Sequence, residues 1–222
     1  MSTYVLMRIL ESAPRRYELG IALLTLGRVG RAYDRLASHV RKGQRVLDLG
    51  CGPGALAVRA ARRGASVKAI DVDPAMLEIA AERLRDLDLE ARVELVEMGV
   101  AELDREPAGR FDAVTSGLCL SELGDDELAY TLGHVARVLA PGGLLLVADE
   151  VVPERLAARL LHGLVRAPLA ALTYLITQQT TRPIEDLAGK LLAAGFAIES
   201  TRSGGLRSFV EVVARKPEAA PR

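Results

Sequence analysis

The feature that most constrains this chain is a glycine-rich turn between an apolar run and a helix-forming run. Residues 45–49 (Arg-Val-Leu-Asp-Leu) are typical of a buried strand, glycines follow at Gly50, Gly52 and Gly54, and residues 55–63 favour a helix. Glycine tolerates left-handed backbone and leaves space for a ligand because it has no Cβ. The helix start adds unpaired N–H groups at the same place. The pattern predicts a nucleotide-type ligand at this turn.

One acidic residue distinguishes two classes of ligand. Gly50, Gly52 and Ala55 satisfy the G-x-G-x-x-G/A spacing of a dinucleotide site, in which a pyrophosphate lies at the helix N-terminus. Asp48, two residues before the first glycine, favours the other class, because a carboxylate repels phosphate and attracts a cationic amino group. A ligand with an ammonium group is therefore expected, and a dinucleotide is the alternative.

Three further segments follow in a recognisable order. Together with the glycine turn they resemble the motifs of class I S-adenosylmethionine-dependent methyltransferases, whose acid-x-Gly-x-Gly-x-Gly pattern Asp48 begins. The other matches are residues 67–77 (second strand and its acidic end), 111–116 (fourth strand) and 138–143 (the turn before the fifth). Four ordered motifs match by chance far less often than one glycine loop. The resemblance covers roughly residues 30 to 216.

The resemblance implies an α/β, Rossmann-like fold with a mostly parallel seven-stranded sheet, a C-terminal antiparallel hairpin and helices on both faces. Alternating strand and helix patterns agree with it. Strands are predicted near 45–49, 67–71, 93–97, 111–116 and 144–149, the hairpin at 195–200 and 209–214 around Gly204-Gly205, and helices near 55–63, 75–85, 125–138 and 184–194. Predicted domains are a helical cap over the active site at 1–40, the methyltransferase domain at 41–216 and a flexible tail at 217–222.

The cofactor implied by the resemblance is S-adenosylmethionine, with S-adenosylhomocysteine as product. Asp71 ends the second strand, where a carboxylate accepts from both ribose hydroxyls, and Val72 and Met76 offer apolar surface to adenine, although core packing explains Met76 equally well. The full predicted cofactor set is Asp48, Gly50, Cys51, Gly52, Gly54, Asp71, Val72, Met76, Gly99, Val100, Ala101 and Ser116.

One motif departs from the family pattern. After the third strand the family usually carries a Gly-Asp-Ala-like run whose aspartate accepts from the adenine amino group, whereas this chain has valine at Val100. Adenine is then expected to be held by backbone groups of Gly99 to Ala101, or by Glu102 through a shifted loop, with a surface role the simpler alternative for Glu102. One lost side-chain hydrogen bond is worth about 1 kcal/mol.

The expected methyl acceptor is a small, partly apolar molecule. The (Asn/Asp/Ser)-Pro-Pro-aromatic motif of amino-methylating nucleic-acid enzymes is absent after the fourth strand, where the chain reads Ser116-Gly117-Leu118-Cys119. Only 4% of residues are aromatic, no tryptophan occurs and the formal net charge is zero. Stacking surfaces and a basic field for nucleic acid are therefore lacking, and no nucleic-acid partner is expected.

The substrate side is predicted from the two ends of the domain. Residues 17–28 are similar to the N-terminal segment of the ubiquinone/menaquinone C-methyltransferases, where a tyrosine-led helix covers the cofactor, which makes Tyr17 a candidate catalytic residue. Residues 160–176 are apolar, broken and too short for a transmembrane helix; a lid over the site and ordinary packing on the sheet are equal alternatives. Predicted substrate-binding residues are Tyr174, Gln178 and Arg182.

Methyl transfer from a sulfonium needs mainly alignment and exclusion of water, with a general base only where the acceptor loses a proton. Asp149, at the end of the fifth strand, is the second candidate catalytic residue, although a structural carboxylate is the simpler interpretation. Cys119 is expected to be inert packing. Two cysteines and three scattered histidines give no metal spacing, and no export signal is visible, so a cytoplasmic enzyme without a metal is expected.

Two alternatives remain beside a small-molecule methyltransferase. The start of the chain and residues 177–181 (Thr-Gln-Gln-Thr-Thr) also resemble corrinoid-protein-associated methyltransferases, so a cofactor-binding fold that serves a partner such as a corrinoid protein is one alternative. An NAD(P)-dependent oxidoreductase is the other.

Overall fold

A seven-stranded sheet organises the part of the chain that the computed structural model describes, residues 28–152, 183–203 and 208–218. Most strands are rich in the β-branched and aliphatic residues that suit a pleated, buried surface, and the exception is the mostly exposed edge strand Ala197–Ser203. The strands are β1 (Arg45–Leu49), β2 (Ser66–Asp71), β3 (Val93–Glu97), β4 (Phe111–Gly117), β5 (Leu139–Glu150), β6 (Ala197–Ser203) and β7 (Phe209–Arg215).

The sheet has the strand order β3-β2-β1-β4-β5-β7-β6. The first five strands pair in parallel, β7 pairs antiparallel with β5 and β6, and the strand order reverses between β1 and β4. In open α/β sheets, ligands bind outside the carboxyl ends of the strands at such a reversal. The fold class predicted from the sequence is confirmed, including the antiparallel C-terminal pair, whose connecting residues 204–207 lie outside the described ranges.

Helices cover both faces of the sheet, which explains why β1 is buried from Val46 to Leu49. Successive residues of β1 enter two different cores: Val46 packs with the first three helices, and Leu47 with the last two. The helices are α1 (Arg28–Ser38), α2 (Ala55–Arg62), α3 (Pro74–Asp86), α4 (Asp125–Val138) and α5 (Leu187–Ala193).

Two element boundaries differ from the sequence prediction because of sheet pairing, and β6 also runs over Ala197–Ser203 rather than the expected 195–200. The helix expected from residue 184 begins at Leu187, because Ile184 forms a parallel bridge with Val151 and Asp186 caps the helix by accepting from the Gly189 N–H. The turn expected at 138–143 lies inside β5 as a bulge, since Leu139 pairs with Phe111 and the regular register resumes beyond it. Both segments contain residues that favour a turn, but pairing with neighbouring strands determines their conformation.

Only the end of the predicted N-terminal cap, residues 28–40, is described. There α1 packs beside α2 and against β5 and β7, with Val29, Tyr33 and Leu36 buried in the core of that face. The Arg35 guanidinium holds α1 to β7 through a bidentate hydrogen bond with Glu211, 2.7 Å at its Nε. This helix therefore forms part of the sheet's covering layer and ends at the loop that precedes β1.

Candidate active site

The glycine turn lies at the carboxyl edge of β1, beside the reversal of strand order. Gly50, Gly52 and Gly54 have φ angles of 56°, 50° and 78°, in the left-handed region that favours glycine. A Cβ at Gly50 would lie 2.5 Å from Cys119 Sγ, whereas one at Gly52 would meet nothing within 4 Å. Gly50 is thus required by packing, whereas Gly52 faces open space.

Asp48 lies beneath this turn and is 1% exposed. Its Oδ1 accepts a 2.6 Å hydrogen bond from the Thr115 hydroxyl, and its Oδ2 has no hydrogen-bond partner among the described residues. Desolvation raises the pKa of Asp48 to about 7, opposed by Thr115 and by the Ala57 N–H in the first turn of α2. A buried carboxylate with one oxygen unpartnered is suited to receive a cationic donor.

Asp71 connects the glycine turn to the end of β2. Its Oδ2 accepts a 2.7 Å hydrogen bond from the Gly52 N–H, and its Oδ1 accepts one of 2.9 Å from the Asp73 N–H. The carboxylate is partly exposed, and each of its oxygens keeps a second lone pair for a hydroxyl donor. Asp71 therefore shapes the turn and is available to a ribose at the same time.

The loop after β3 is the predicted adenine site. Glu102 Oε1 accepts a 3.1 Å hydrogen bond from the Gly99 N–H, so the Glu102 side chain stabilises this loop rather than standing free at the surface. Val100 and Ala101 begin a 3₁₀ turn (Val100–Arg105), whose first N–H groups have no acceptor within the turn. The backbone is therefore the better candidate for holding adenine.

Apolar surface borders this loop. Val72 is 70% exposed, and a Cβ added at Gly99 would lie 3.4 Å from its Cγ1. Met76, on the first turn of α3, is partly buried. An exposed valine beside a loop with available N–H groups is consistent with a site for a flat, partly apolar ring.

The next site segment follows β4 and includes Ser116. Ser116 has no accessible surface, and its hydroxyl has no hydrogen-bond partner among the described residues. The neighbouring Gly117 lies against the Tyr33 ring: a Cβ there would come within 2.4 Å of the Tyr33 hydroxyl oxygen. Tyr33 thus brings α1 to the carboxyl end of β4. The role of Ser116 in cofactor binding stays a prediction.

Asp149 is completely buried at the end of β5. Its Oδ2 accepts from the Leu120 N–H at 2.9 Å and its Oδ1 from the Glu150 N–H at 2.7 Å. Desolvation raises the pKa of Asp149 to about 6, against the opposing effect of these hydrogen bonds and of Ser121. This geometry favours the structural interpretation, in which Asp149 anchors the turn after β4, over a role as the proton acceptor.

Beyond Gly117 the chain is held in a tight, strained turn. Leu118 has a φ of 60°, unusual for a residue with a side chain, and its N–H donates to the Ala148 carbonyl at 2.9 Å. A short 3₁₀ turn (Leu120–Glu122) follows and ends with Glu122, whose side chain is exposed. Strained backbone of this kind is typical of functional sites, where the surrounding structure maintains it.

Both cysteines of the site are buried thiols. Burial, followed by the negative charges of nearby carboxylates, raises the pKa of Cys51 and of Cys119. A thiol with a raised pKa is a poor nucleophile, which agrees with the expectation that Cys119 is packing. Cys51 contributes backbone, since its N–H donates to the Ile70 carbonyl at 2.9 Å.

The electrostatic character of the edge is negative. The carboxylates that act on the Cys119 thiol are Asp149, Glu122, Asp71 and Asp48, in order of decreasing effect. They come from the ends of three strands and the turn after a fourth. Such a concentration of acids favours a ligand with positive charge and disfavours a pyrophosphate.

Comparison with known proteins agrees with this geometry. Residues 46–143 match the family model described as "Methyltransferase domain", a stretch that runs from β1 through the glycine turn to the bulge of β5. This stretch of the chain is similar to methyltransferase domains. The resemblance drawn from the four sequence motifs is thereby confirmed.

Two curated relatives illustrate the similarity. The ubiquinone/menaquinone biosynthesis C-methyltransferase UbiE of Psychromonas ingrahamii is 32% identical over 150 residues, which are 65% of this chain and 59% of the relative. The ubiquinone biosynthesis O-methyltransferase of Alkalilimnicola ehrlichii is 42% identical over 102 residues, 46% of this chain and 40% of the relative. The match thus spans less than two thirds of the length of these relatives.

Solved structures share the fold of this chain. An S-adenosylmethionine-dependent methyltransferase from Mesorhizobium loti aligns with a TM-score of 0.62 at 23% identity, covering 78% of this chain and 91% of that one. The [4+2]-cyclase SpnF aligns with a TM-score of 0.68, also at 23% identity, covering 86% and 81%. At this identity the likeness concerns the fold alone, and one fold hosts several chemistries.

Several predicted site residues lie outside the described ranges. They are Tyr17, Tyr174, Gln178 and Arg182, together with the apolar segment 160–176. Three contributors were missed by sequence reasoning: Thr115, Tyr33 and Glu122. Threonine is common in strands and tyrosine in helices, so nothing in the sequence marked Thr115 or Tyr33 as part of the site. Glu122 could have been identified from its position directly after β4.

The described ranges contain no group of three or more histidine, cysteine, aspartate or glutamate side chains that could hold a metal ion. None of the helices in residues 28–152 and 183–203 is long and apolar enough to cross a membrane.

Proposed function

We propose that this protein is an S-adenosylmethionine-dependent methyltransferase that acts on a small, partly apolar acceptor. The observation that carries the proposal is Asp48, a buried carboxylate with an unpartnered oxygen directly under a glycine turn. Its chemistry suits the ammonium group of a methionine moiety and opposes the pyrophosphate of a dinucleotide. The matched methyltransferase model over residues 46–143 supports the same proposal.

The residues of the edge fit the parts of the proposed cofactor. Asp48 would face its ammonium group, Asp71 its ribose hydroxyls, and the loop of Gly99 to Ala101 its adenine, with Val72 against the ring. The bound cofactor supplies an electrophilic methyl group on a positively charged sulfur. The protein's contribution is to align donor and acceptor and to exclude water, an effect worth several kcal/mol in well-oriented reactions (~7–11 kcal/mol at most).

The proposed acceptor class is a hydroxylated aromatic ring of the quinone-precursor kind. The support is indirect: a relative named as a quinone C-methyltransferase and another named as a ubiquinone O-methyltransferase share the matched region. The turn after β4 and the end of β5 lie on the other side of the strand reversal from Asp71 and the adenine loop. That side is where an acceptor would meet the methyl group.

Ligand titration tests the cofactor. Calorimetric titration with S-adenosylmethionine, S-adenosylhomocysteine, NADH and NADPH should show binding of the first two only. Binding of NADH or NADPH without the methionine-based ligands would overturn the proposal in favour of an oxidoreductase.

The acceptor class needs a second experiment. Methyl-labelled S-adenosylmethionine is incubated with the protein and a cell extract, which is then divided into protein, aqueous and organic-solvent fractions. Label in the organic fraction is expected. Label in the protein fraction would instead support a partner protein as acceptor, and a corrinoid protein added to the assay addresses that partner directly.

A further inference from the structure

The turn after β4 presents a carboxylate that the cofactor site does not use. Glu122 is the last residue of the Leu120–Glu122 turn and its side chain is exposed. The other carboxylates around the strand reversal already have a role or are enclosed: Asp48 is assigned to the ammonium group, Asp149 is 0% exposed, and Asp71 accepts two backbone N–H groups.

The Glu122 carboxylate also differs from these three in its partners. No hydrogen bond or ion pair within the described ranges involves it, so both of its oxygens are available to a ligand. The turn that carries it is fixed, because Asp149 Oδ2 accepts from the Leu120 N–H at 2.9 Å and from the Ser121 N–H at 3.3 Å. A fixed turn limits the positions that its side chain can reach, and a positioned group reacts more effectively than a free one.

We propose that Glu122 is the general base of the methyl-transfer reaction and that the acceptor is a phenol or enol that loses a proton on methylation. This inference rests on the proposed function. The acceptor's O–H bond, or the C–H bond of its ring carbon, breaks and its proton passes to the Glu122 carboxylate. The freed electron pair forms the bond to the methyl carbon, and the sulfur keeps the electrons of its broken S–C bond as a neutral thioether.

The protonation behaviour of Glu122 suits this role. Partial desolvation, then repulsion from Asp149 on β5 and Asp71 on β2, raises the pKa of Glu122 to about 7. A base is most effective when its pKa lies near the working pH. Amines without a proton to lose, and thioethers, would gain nothing from such a base. A role for Glu122 therefore favours phenols and enols over these acceptors.

Substitution of Glu122 tests the proposal, with the organic-solvent fraction of an untreated extract as acceptor pool and methyl-labelled S-adenosylmethionine as donor. Glu122→Gln should lower the rate of transfer about 100-fold, the lower end of general-base effects, while the dissociation constant for S-adenosylmethionine changes less than threefold. Glu122→Asp should restore part of the rate. The control is Glu127→Gln, an exposed carboxylate on α4, which should retain the wild-type rate.

The pH profile supplies a second readout. At saturating S-adenosylmethionine, where titration of Asp48 no longer limits cofactor binding, the wild-type rate should rise with pH through about 7 as Glu122 ionises. The profile of Glu122→Gln should lack this limb. A Glu122→Gln rate within threefold of wild type, or the same limb in both profiles, would overturn the assignment.

A third readout does not depend on turnover. The Glu122 carboxyl carbon, assigned by comparison with Glu122→Gln in ¹³C-glutamate-labelled protein, should titrate near neutrality in the complex with S-adenosylhomocysteine. A midpoint in the ordinary range of glutamate, about 4.3, would contradict the proposal even if the extract contained no acceptor. Binding of the cofactor without any labelled product would count against the proposed function, not against this titration.

Discussion

The Thr115 hydroxyl donates a 2.6 Å hydrogen bond to Asp48 Oδ1, across paired positions of β4 and β1. Both side chains are 1% exposed, so this bond acts in a low-dielectric interior, where it favours the ionised carboxylate. Its effect on the site is to keep a negative charge under the glycine turn at neutral pH, against the desolvation that raises the pKa of Asp48.

Replacement of Thr115 by valine removes this donor at nearly constant volume. Hydrogen bonds to charged groups contribute about 1.5–3 kcal/mol, so Thr115→Val should weaken S-adenosylmethionine binding at pH 7 by roughly tenfold or more. Calorimetry measures the change. The matched control is Thr131→Val on α4, where a fully buried hydroxyl has no hydrogen-bond partner among the described residues. An equal loss of affinity in both variants would contradict the role assigned to Thr115.

The pKa values of Asp48 and Asp149 predict how stability depends on pH. They lie near 7 and 6 in the folded protein, above the ordinary 3.8, so the folded chain binds more protons than the unfolded chain between about pH 4 and 7. The stability that these groups contribute is therefore full below about pH 4 and decreases as pH rises through their folded pKa values.

Asp48→Asn tests this pH dependence, because it keeps the side-chain volume and cannot ionise. Urea unfolding at several pH values should show that the variant gains stability relative to wild type as pH rises from about 4 to 7. Its affinity for S-adenosylmethionine should decrease at the same time. A pH-independent difference between the two proteins would show that Asp48 does not titrate in this range.

Two alanine substitutions in the glycine turn should separate packing from ligand contact. Both positions have left-handed backbone, which costs a residue with a Cβ about 1–2 kcal/mol, but only a Cβ at Gly50 collides with Cys119. Gly50→Ala should therefore lower the melting temperature more than Gly52→Ala. Gly52→Ala should remain folded and lose cofactor affinity, because its methyl group would occupy the open space above the turn. Equal melting temperatures would contradict the packing role of Gly50.

The sequence predicted the fold because its signals are local. The apolar residues of β1, the glycines after it and the helical period of α2 lie within about twenty residues, and each constrains the backbone where it occurs. The position of Asp71 at the end of β2 was predictable for the same cause. The strand-like pairing of Ile184 was not, because it depends on Val151, a residue distant along the chain.

The site was only partly predictable because its contacts are long-range. Thr115 and Asp48 are separated by 67 positions, and nothing in either neighbourhood indicates the bond between them. The burial of Asp149 could not be predicted either, because the sequence shows only an acid at the end of a strand. In the fold its carboxylate is enclosed and accepts hydrogen bonds from the Leu120 and Ser121 N–H groups. A structural carboxylate and a catalytic base look the same until their partners are known.

The last prediction concerns the contact between Tyr33 and Gly117, which joins α1 to the end of β4. A Cβ at Gly117 would lie 2.4 Å from the Tyr33 hydroxyl oxygen and 2.6 Å from Cζ of the ring, so Gly117→Ala should destabilise the protein by about 1–3 kcal/mol through overpacking. In a Tyr33→Phe background the hydroxyl clash disappears and the ring clash remains, so the cost should decrease in part. In a Tyr33→Leu background it should decrease further, because the distal ring atoms are absent. Urea unfolding of the single and double variants gives the coupling energy, expected at about 0.5–3 kcal/mol. Additive effects of Gly117→Ala and Tyr33→Leu would show that the glycine is needed for another reason, such as the strained backbone at Leu118.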